Sequence, residues 1–142
     1  MAYDYVLGNL TRTFIKEGNK EKALAYLEQM NERFWRAQAY IPVASSLLQQ
    51  GDTLAALPLI QKSIEDAEYY IKLPKEQQDN KAGFAGVGYP GYVSQLAEVY
   101  SKQGKHQEVL SLIENAIKIA PDHSSRFSAP YSKALENVGR NL

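Results

Sequence analysis

The run Gly86-Val87-Gly88-Tyr89-Pro90-Gly91 matches G-x-G-x-x-G, the pattern of a turn that presents backbone N–H groups to a pyrophosphate. That chemistry needs a strand before the glycines and a helix after them, so that the helix N-terminus faces the phosphates. Here the preceding stretch, SIEDAEYYIKL, has helical spacing, and PKEQQDN separates it from the glycines. Pro90 stands before the last Gly, and no second strand follows to carry a ribose-binding acid. The dinucleotide reading therefore fails. The run is read as part of a turn-rich loop.

The other reactive side chains are scattered. His106 and His123 are 17 residues apart, on a turn and on a post-helix loop, and neither has a second ligand at metal spacing. Ser124 and Ser125 follow His123 directly, but adjacency in sequence does not build a triad. Glu17, Glu21, Glu65, Asp66 and Glu68 fall on polar helix faces, where nothing raises a carboxyl pKa for general-acid work. With no cysteine in 142 residues, disulfides, thiol catalysis and thiolate metal sites are excluded. The chain is expected to be no enzyme and to hold no metal or cofactor.

Sixteen Lys and Arg balance sixteen Asp and Glu. Nucleic-acid binders draw affinity from a basic excess, so nucleic acid is not expected as a partner. MAYDYVLGNL lacks the basic start and apolar run of a signal peptide. No apolar run approaches the about 18 residues that suggest a membrane span. A cytoplasmic location is expected.

The positioning elements are helices. Apolar residues recur at three- and four-residue steps: Leu7, Leu10 and Phe14; Ala23, Leu24 and Leu27; Tyr40, Val43, Ala44 and Leu47; Leu57, Ile60 and Ile64; Val93, Leu96 and Tyr100; Val109, Ile113 and Ala116. The breaks read KEGNKEKAL, QQGDTLAAL and KQGKHQEVL. Each places a Gly where a helix closes in the left-handed region, and Asn19 and Asp52 can cap the helix that follows. Gly18 to Gly51 is 33 residues, Gly51 to Gly104 is 53, and Gly104 to Gly139 is 35. A period near 34 with helix–turn–helix content indicates a helical solenoid, interrupted once by an insertion. Pro42 and Pro58 fall inside expected helices, and a kink or a late helix start is predicted at one of them.

In this register the chain resembles the tetratricopeptide repeat family. The residues that carry the likeness are Val93, Leu96-Ala97, Tyr100, Gly104, Val109, Ile113, Ala116 and Pro121. Tyr40, Val43-Ala44, Leu47, Gly51, Ala56 and Ile60 follow the pattern with Ser63 in place of a second Ala. Leu7, Leu10-Thr11, Phe14, Gly18, Ala23 and Leu27 follow it with Met30 in place of that Ala, and Thr11 suggests a looser helix contact. The expected fold is all-α, an αα-hairpin repeat solenoid of about three helix pairs. Its units span about 4–36, 37–73 and 90–122, with an insertion loop at 74–89 and a C-terminal capping helix within 126–142.

The resemblance implies a non-catalytic protein–protein interaction module whose first helices line a concave groove for a peptide or protein. By register the groove holds Tyr5, Asn9, Arg12 and Lys16, then Gln38, Ile41, Ser45 and Gln49, then Ser94, Gln95, Glu98 and Lys102. The family's carboxylate clamp would need basic and amide side chains where this chain has Gly8, Arg12, Pro42, Gly91 and Gln95, so the clamp is not expected. Phe84 and Tyr89 in the insertion either fold back onto the groove or meet a partner. Two alternatives stay open: a self-assembling, homo-oligomeric repeat unit, and a small-ligand site under the aromatic insertion.

Overall fold

The computed structural model describes residues 2–140, without the side chains of Ala2, Phe84 and Arg140. Seven α-helices follow one another among the described residues: α1 (Ala2–Lys16), α2 (Lys20–Glu28), α3 (Arg33–Gln49), α4 (Thr53–Ile71), α5 (Asn80–Lys102), α6 (His106–Ile119) and α7 (Ser128–Arg140). Short 3₁₀ turns occupy Lys75–Gln77 and Pro121–Phe127, and no strand occurs among the described residues. The all-α repeat fold expected from the sequence is the one observed. The chain forms two compact units, Met1–Ala67 and Glu68–Leu142, divided within α4.

The three turn glycines close their helices as the spacing required. Gly18, Gly51 and Gly104 have φ of 81°, 81° and 75°. After α3, Gly51 N–H donates to Leu48 O at 3.0 Å and Asp52 N–H to Leu47 O at 2.8 Å. This double bond pattern satisfies carbonyls the helix leaves open. The same pair recurs at Gly18-Asn19 and Gly104-Lys105. Asn19 Oδ1 then accepts from Lys22 N–H at 3.2 Å, and Asp52 Oδ1 from Ala55 N–H at 3.3 Å. Lys20 Nζ donates to Asp52 Oδ2 at 2.8 Å, which pulls the Asp52 carboxyl below its ordinary value. Gly139 is different: it lies inside α7 and makes no turn.

In the first unit α1 packs on α2 and α3. Leu7, Leu27, Met30, Val43 and Leu47 are buried. Thr11 is not loose, as the sequence suggested. It is fully buried, and its hydroxyl donates to Leu7 O at 2.8 Å. Two acids enter this interior. Asp4 accepts the N–H of Glu32 at 2.8 Å and of Asn31 at 3.4 Å, where the chain enters α3. Asp66, 2% exposed, is forked by Arg36, with Nε and a terminal nitrogen each 3.2 Å from a carboxylate oxygen. Arg33 approaches Oδ1 at 3.5 Å. Ser63 is small enough for α3 to come close, and its hydroxyl donates to Leu59 O at 3.0 Å.

Pro42 lies in the middle of α3 and Pro58 in α4. Each removes one ladder donor. At Pro58 the carbonyl left over belongs to Leu54, which is 85% exposed and can turn to water.

The second unit corrects the expected insertion loop. Only about the first third of 74–89 is irregular, with the 3₁₀ turn Lys75–Gln77. From Asn80 onward the chain is helical, so the glycine run lies inside α5. Asp79 opens that helix, its Oδ1 accepting from Lys81 N–H at 2.9 Å. Each helical Gly costs about 1 kcal/mol against Ala, and Pro about 3. Burial offsets that cost: Ala82, Ala85, Gly86, Tyr89, Pro90, Val93, Leu96 and Ala97 are buried, at helical spacing. Two of the glycines make room. A Cβ on Gly86 would stand 3.2 Å from His123 Nε2, and one on Gly88 would stand 2.8 Å from the Tyr92 hydroxyl. Where the sequence suggests a cap, over 126–142, the described residues form the end of the 3₁₀ turn Pro121–Phe127 and then α7.

Candidate functional site

Arg12 and Lys16 are one turn apart on α1, and Ser45 and Gln49 are one turn apart on α3, so each pair shares a helix face. The two faces border an open cleft of about 430 Å³. From α1 and its turn come Arg12, Ile15, Lys16 and Gly18; α3 supplies Pro42, Ser45, Ser46, Gln49 and Gln50. Small serines keep the floor low, and Ile15 is the buried apolar base. Arg12 folds back along its helix and donates to Asn9 Oδ1 at 2.6 Å.

A second cleft of about 430 Å³ opens in the other unit between α5 and α7. Ser94, Glu98, Ser101 and Lys102 line one side, Pro130, Lys133 and Asn137 the other, with Ala97 and Ala134 beneath. The two clefts are built in the same register. Counted back from Gly18 and Gly104, Arg12 corresponds to Glu98 and Lys16 to Lys102. Counted back from Gly51 and Gly139, Pro42 corresponds to Pro130, Ser45 to Lys133 and Gln49 to Asn137. Their charge differs: Lys102 Nζ lies 3.3 Å from Glu98 Oε1.

Of the groove positions inferred from the sequence, Arg12, Lys16, Ser45 and Gln49 meet in the first cleft and Ser94, Glu98 and Lys102 in the second. Tyr5, Asn9, Gln38 and Ile41 do not line the first cleft, and Gln95 does not line the second. Tyr5 instead meets the Trp35 ring edge-on, with centroids 5.6 Å apart, and Trp35 meets Phe34 at 5.2 Å. The Phe84 side chain lies outside the described residues. Tyr89 is no surface contact: it is 1% exposed, its hydroxyl donates to Glu68 Oε2 at 2.7 Å, and its ring stands edge-on to Phe127. Burial, and then the bond to Glu68, push the Tyr89 hydroxyl far above its ordinary value of 10.0. Lys133 and Asn137 are absent from the groove inferred by sequence, because the repeat register assigns the last helix to a cap. The proline shared by α3 and α7 at one distance from a glycine is the signal that pairs them.

A third opening, of about 620 Å³, lies against α5 and the 3₁₀ turn after α6. Lys75, Gln78, Asp79 and His123 are on its wall. Asp79 is occupied as the helix cap, and His123 covers Gly86. No group of three His, Cys, Asp or Glu residues able to hold a metal occurs among the described residues, and no described helix is long and apolar enough to cross a membrane.

The family model described as tetratricopeptide repeat matches residues 6–33 and 93–126. The first match covers most of α1 and all of α2; the second covers the later part of α5, α6 and most of the following 3₁₀ turn. No curated protein and no solved structure matches the chain. Repeats of this family generally mediate protein–protein interaction. With the three glycine turns and the hairpins they close, these matches make the matched segments similar to tetratricopeptide repeats within an all-α helical repeat fold.

Proposed function

We propose that the protein is a non-catalytic binding module that takes peptide segments of a partner protein in the clefts between α1 and α3 and between α5 and α7. The observation that carries this reading is the recurrence of an open, polar-walled cleft at the same register in both units. Side chains of Ser, Gln and Asn offer both donors and acceptors to an extended backbone. The apolar bases formed by Ile15 in one cleft and Ala97 and Ala134 in the other exclude water from one side of a bound chain.

The test is selection of binders from a displayed library of random peptides, followed by affinity measurement on filled-cleft variants. Ser45→Trp fills the first cleft and Ser94→Trp the second. Each selected peptide should lose at least about tenfold in affinity, or about 1.4 kcal/mol, on one of the two variants. Peptides that bind both variants as they bind the parent protein reject the reading.

A further inference from the structure

We infer that the α1–α3 cleft selects an acidic peptide segment, and does so more strongly than its counterpart between α5 and α7. This rests on the cleft reading above and adds the chemistry of the occupant. The first cleft is lined by two cations, Arg12 and Lys16, and by no carboxylate. Arg12 has the neutral Asn9 amide as its partner, and neither cation meets a carboxylate among the described residues.

The other cleft supplies an internal control. At the register of Arg12 it has Glu98, whose Oε1 lies 3.3 Å from Lys102 Nζ one turn away. That cleft carries two cations, Lys102 and Lys133, against the carboxylate of Glu98, where the first carries two cations and no carboxylate. An anionic side chain entering it must therefore compete with Glu98. In the first cleft it gains charge-assisted bonds from a guanidinium and an ammonium at the edge of an apolar base. Such complementarity sets specificity more than raw affinity. Glu or Asp spaced along an extended segment fits a pair of cations one helical turn apart. Two cations in a chain with balanced charge are few for a phosphate backbone, which is held by many contacts.

The experiment uses a short fluorescein-labelled peptide of alternating Glu and Ser, blocked at both termini, and its Gln counterpart, with fluorescence anisotropy as the readout. The Glu peptide should bind about tenfold more tightly, and the preference should shrink as salt rises and screens the charges. Arg12→Glu copies the Glu98–Lys102 arrangement into the first cleft, a compatible one-turn pair. It should abolish the preference while the circular dichroism melt keeps its cooperativity. Arg12→Gln, which adds no new charge, should weaken the preference in the same direction.

Equal binding of the two peptides, or a preference that survives Arg12→Glu, overturns the inference. If the peptides bind equally and both are lost with Ser45→Trp, the charge argument fails and the cleft reading stands. If both survive Ser45→Trp and Ser94→Trp, both readings fail. A single-stranded oligonucleotide that outcompetes the Glu peptide through the same Arg12 dependence would assign the cleft to phosphates and overturn the acidic-peptide inference.

Discussion

Gly8 and Gly88 stand inside helices, and their surroundings give alanine opposite effects. A Cβ at Gly8 would find its nearest neighbours at 3.7 and 3.8 Å, the Met30 methyl and an Arg12 nitrogen, which is ordinary contact. Gly8→Ala should therefore raise stability by about 0.5–1 kcal/mol through helix propensity alone. At Gly88 the Tyr92 ring lies across the missing side chain, with Cζ 3.0 Å and the hydroxyl 2.8 Å from a Cβ. Tyr92 is itself held in a setting whose burial raises its hydroxyl pKa. Gly88→Ala must swing that ring away, and should lower stability by about 1 kcal/mol or more despite the better helix former. Urea titrations of the two variants check both signs. The same close approach gives two glycines of the G-x-G-x-x-G run a packing role: Gly86 makes room for His123 and Gly88 for Tyr92.

Between elements, the joint of α3 and α4 depends on a carboxylate that water scarcely reaches. Arg36→Met leaves Asp66 buried with only Arg33 at 3.5 Å, and breaking a buried pair from one side costs about 3–5 kcal/mol. Asp66→Leu should cost less, because the two arginine side chains, 22% and 46% exposed, can reach solvent. Combining both changes should recover much of the Arg36→Met loss, and a double-mutant cycle in urea measures the coupling. The hairpins of α1–α2 and α5–α6 were legible because Gly18 and Gly104 end apolar stripes of clear period. Half of α5 was not. Gly83, Gly86, Gly88, Pro90 and Gly91 argue locally against a helix, and the burial of Ala82, Ala85, Tyr89 and Val93 outweighs them. Those residues do keep a three- and four-residue spacing, but the glycine pattern obscured it. Arg12, Lys16, Ser45 and Gln49 meet in one cleft because the Gly18 and Gly51 turns set the phase of both helices. Tyr89 was misplaced because an aromatic in an assumed loop reads as exposed.

Across the whole chain, helices pack on close neighbours in sequence: α1 on α2 and α3, and α5 on α6. Local contacts of this kind reduce the loop entropy that must be lost before packing is gained, and such proteins fold in microseconds to milliseconds. Stopped-flow refolding should be complete within tens of milliseconds, with slower phases confined to proline isomerisation over tens of seconds. One proline also limits how far damage spreads. Pro42 interrupts the hydrogen-bond ladder of α3 between its early turns, which carry Trp35 and Arg36, and its later turns, which wall the first cleft. Unravelling that begins at the aromatic end, as when Asp66 is lost, meets a missing rung there. Pro42 should thus act as a firebreak: the entry to α3 frays before Val43 to Gln49 lose their shape, and the wall of a cleft outlasts the failure of its own foundation.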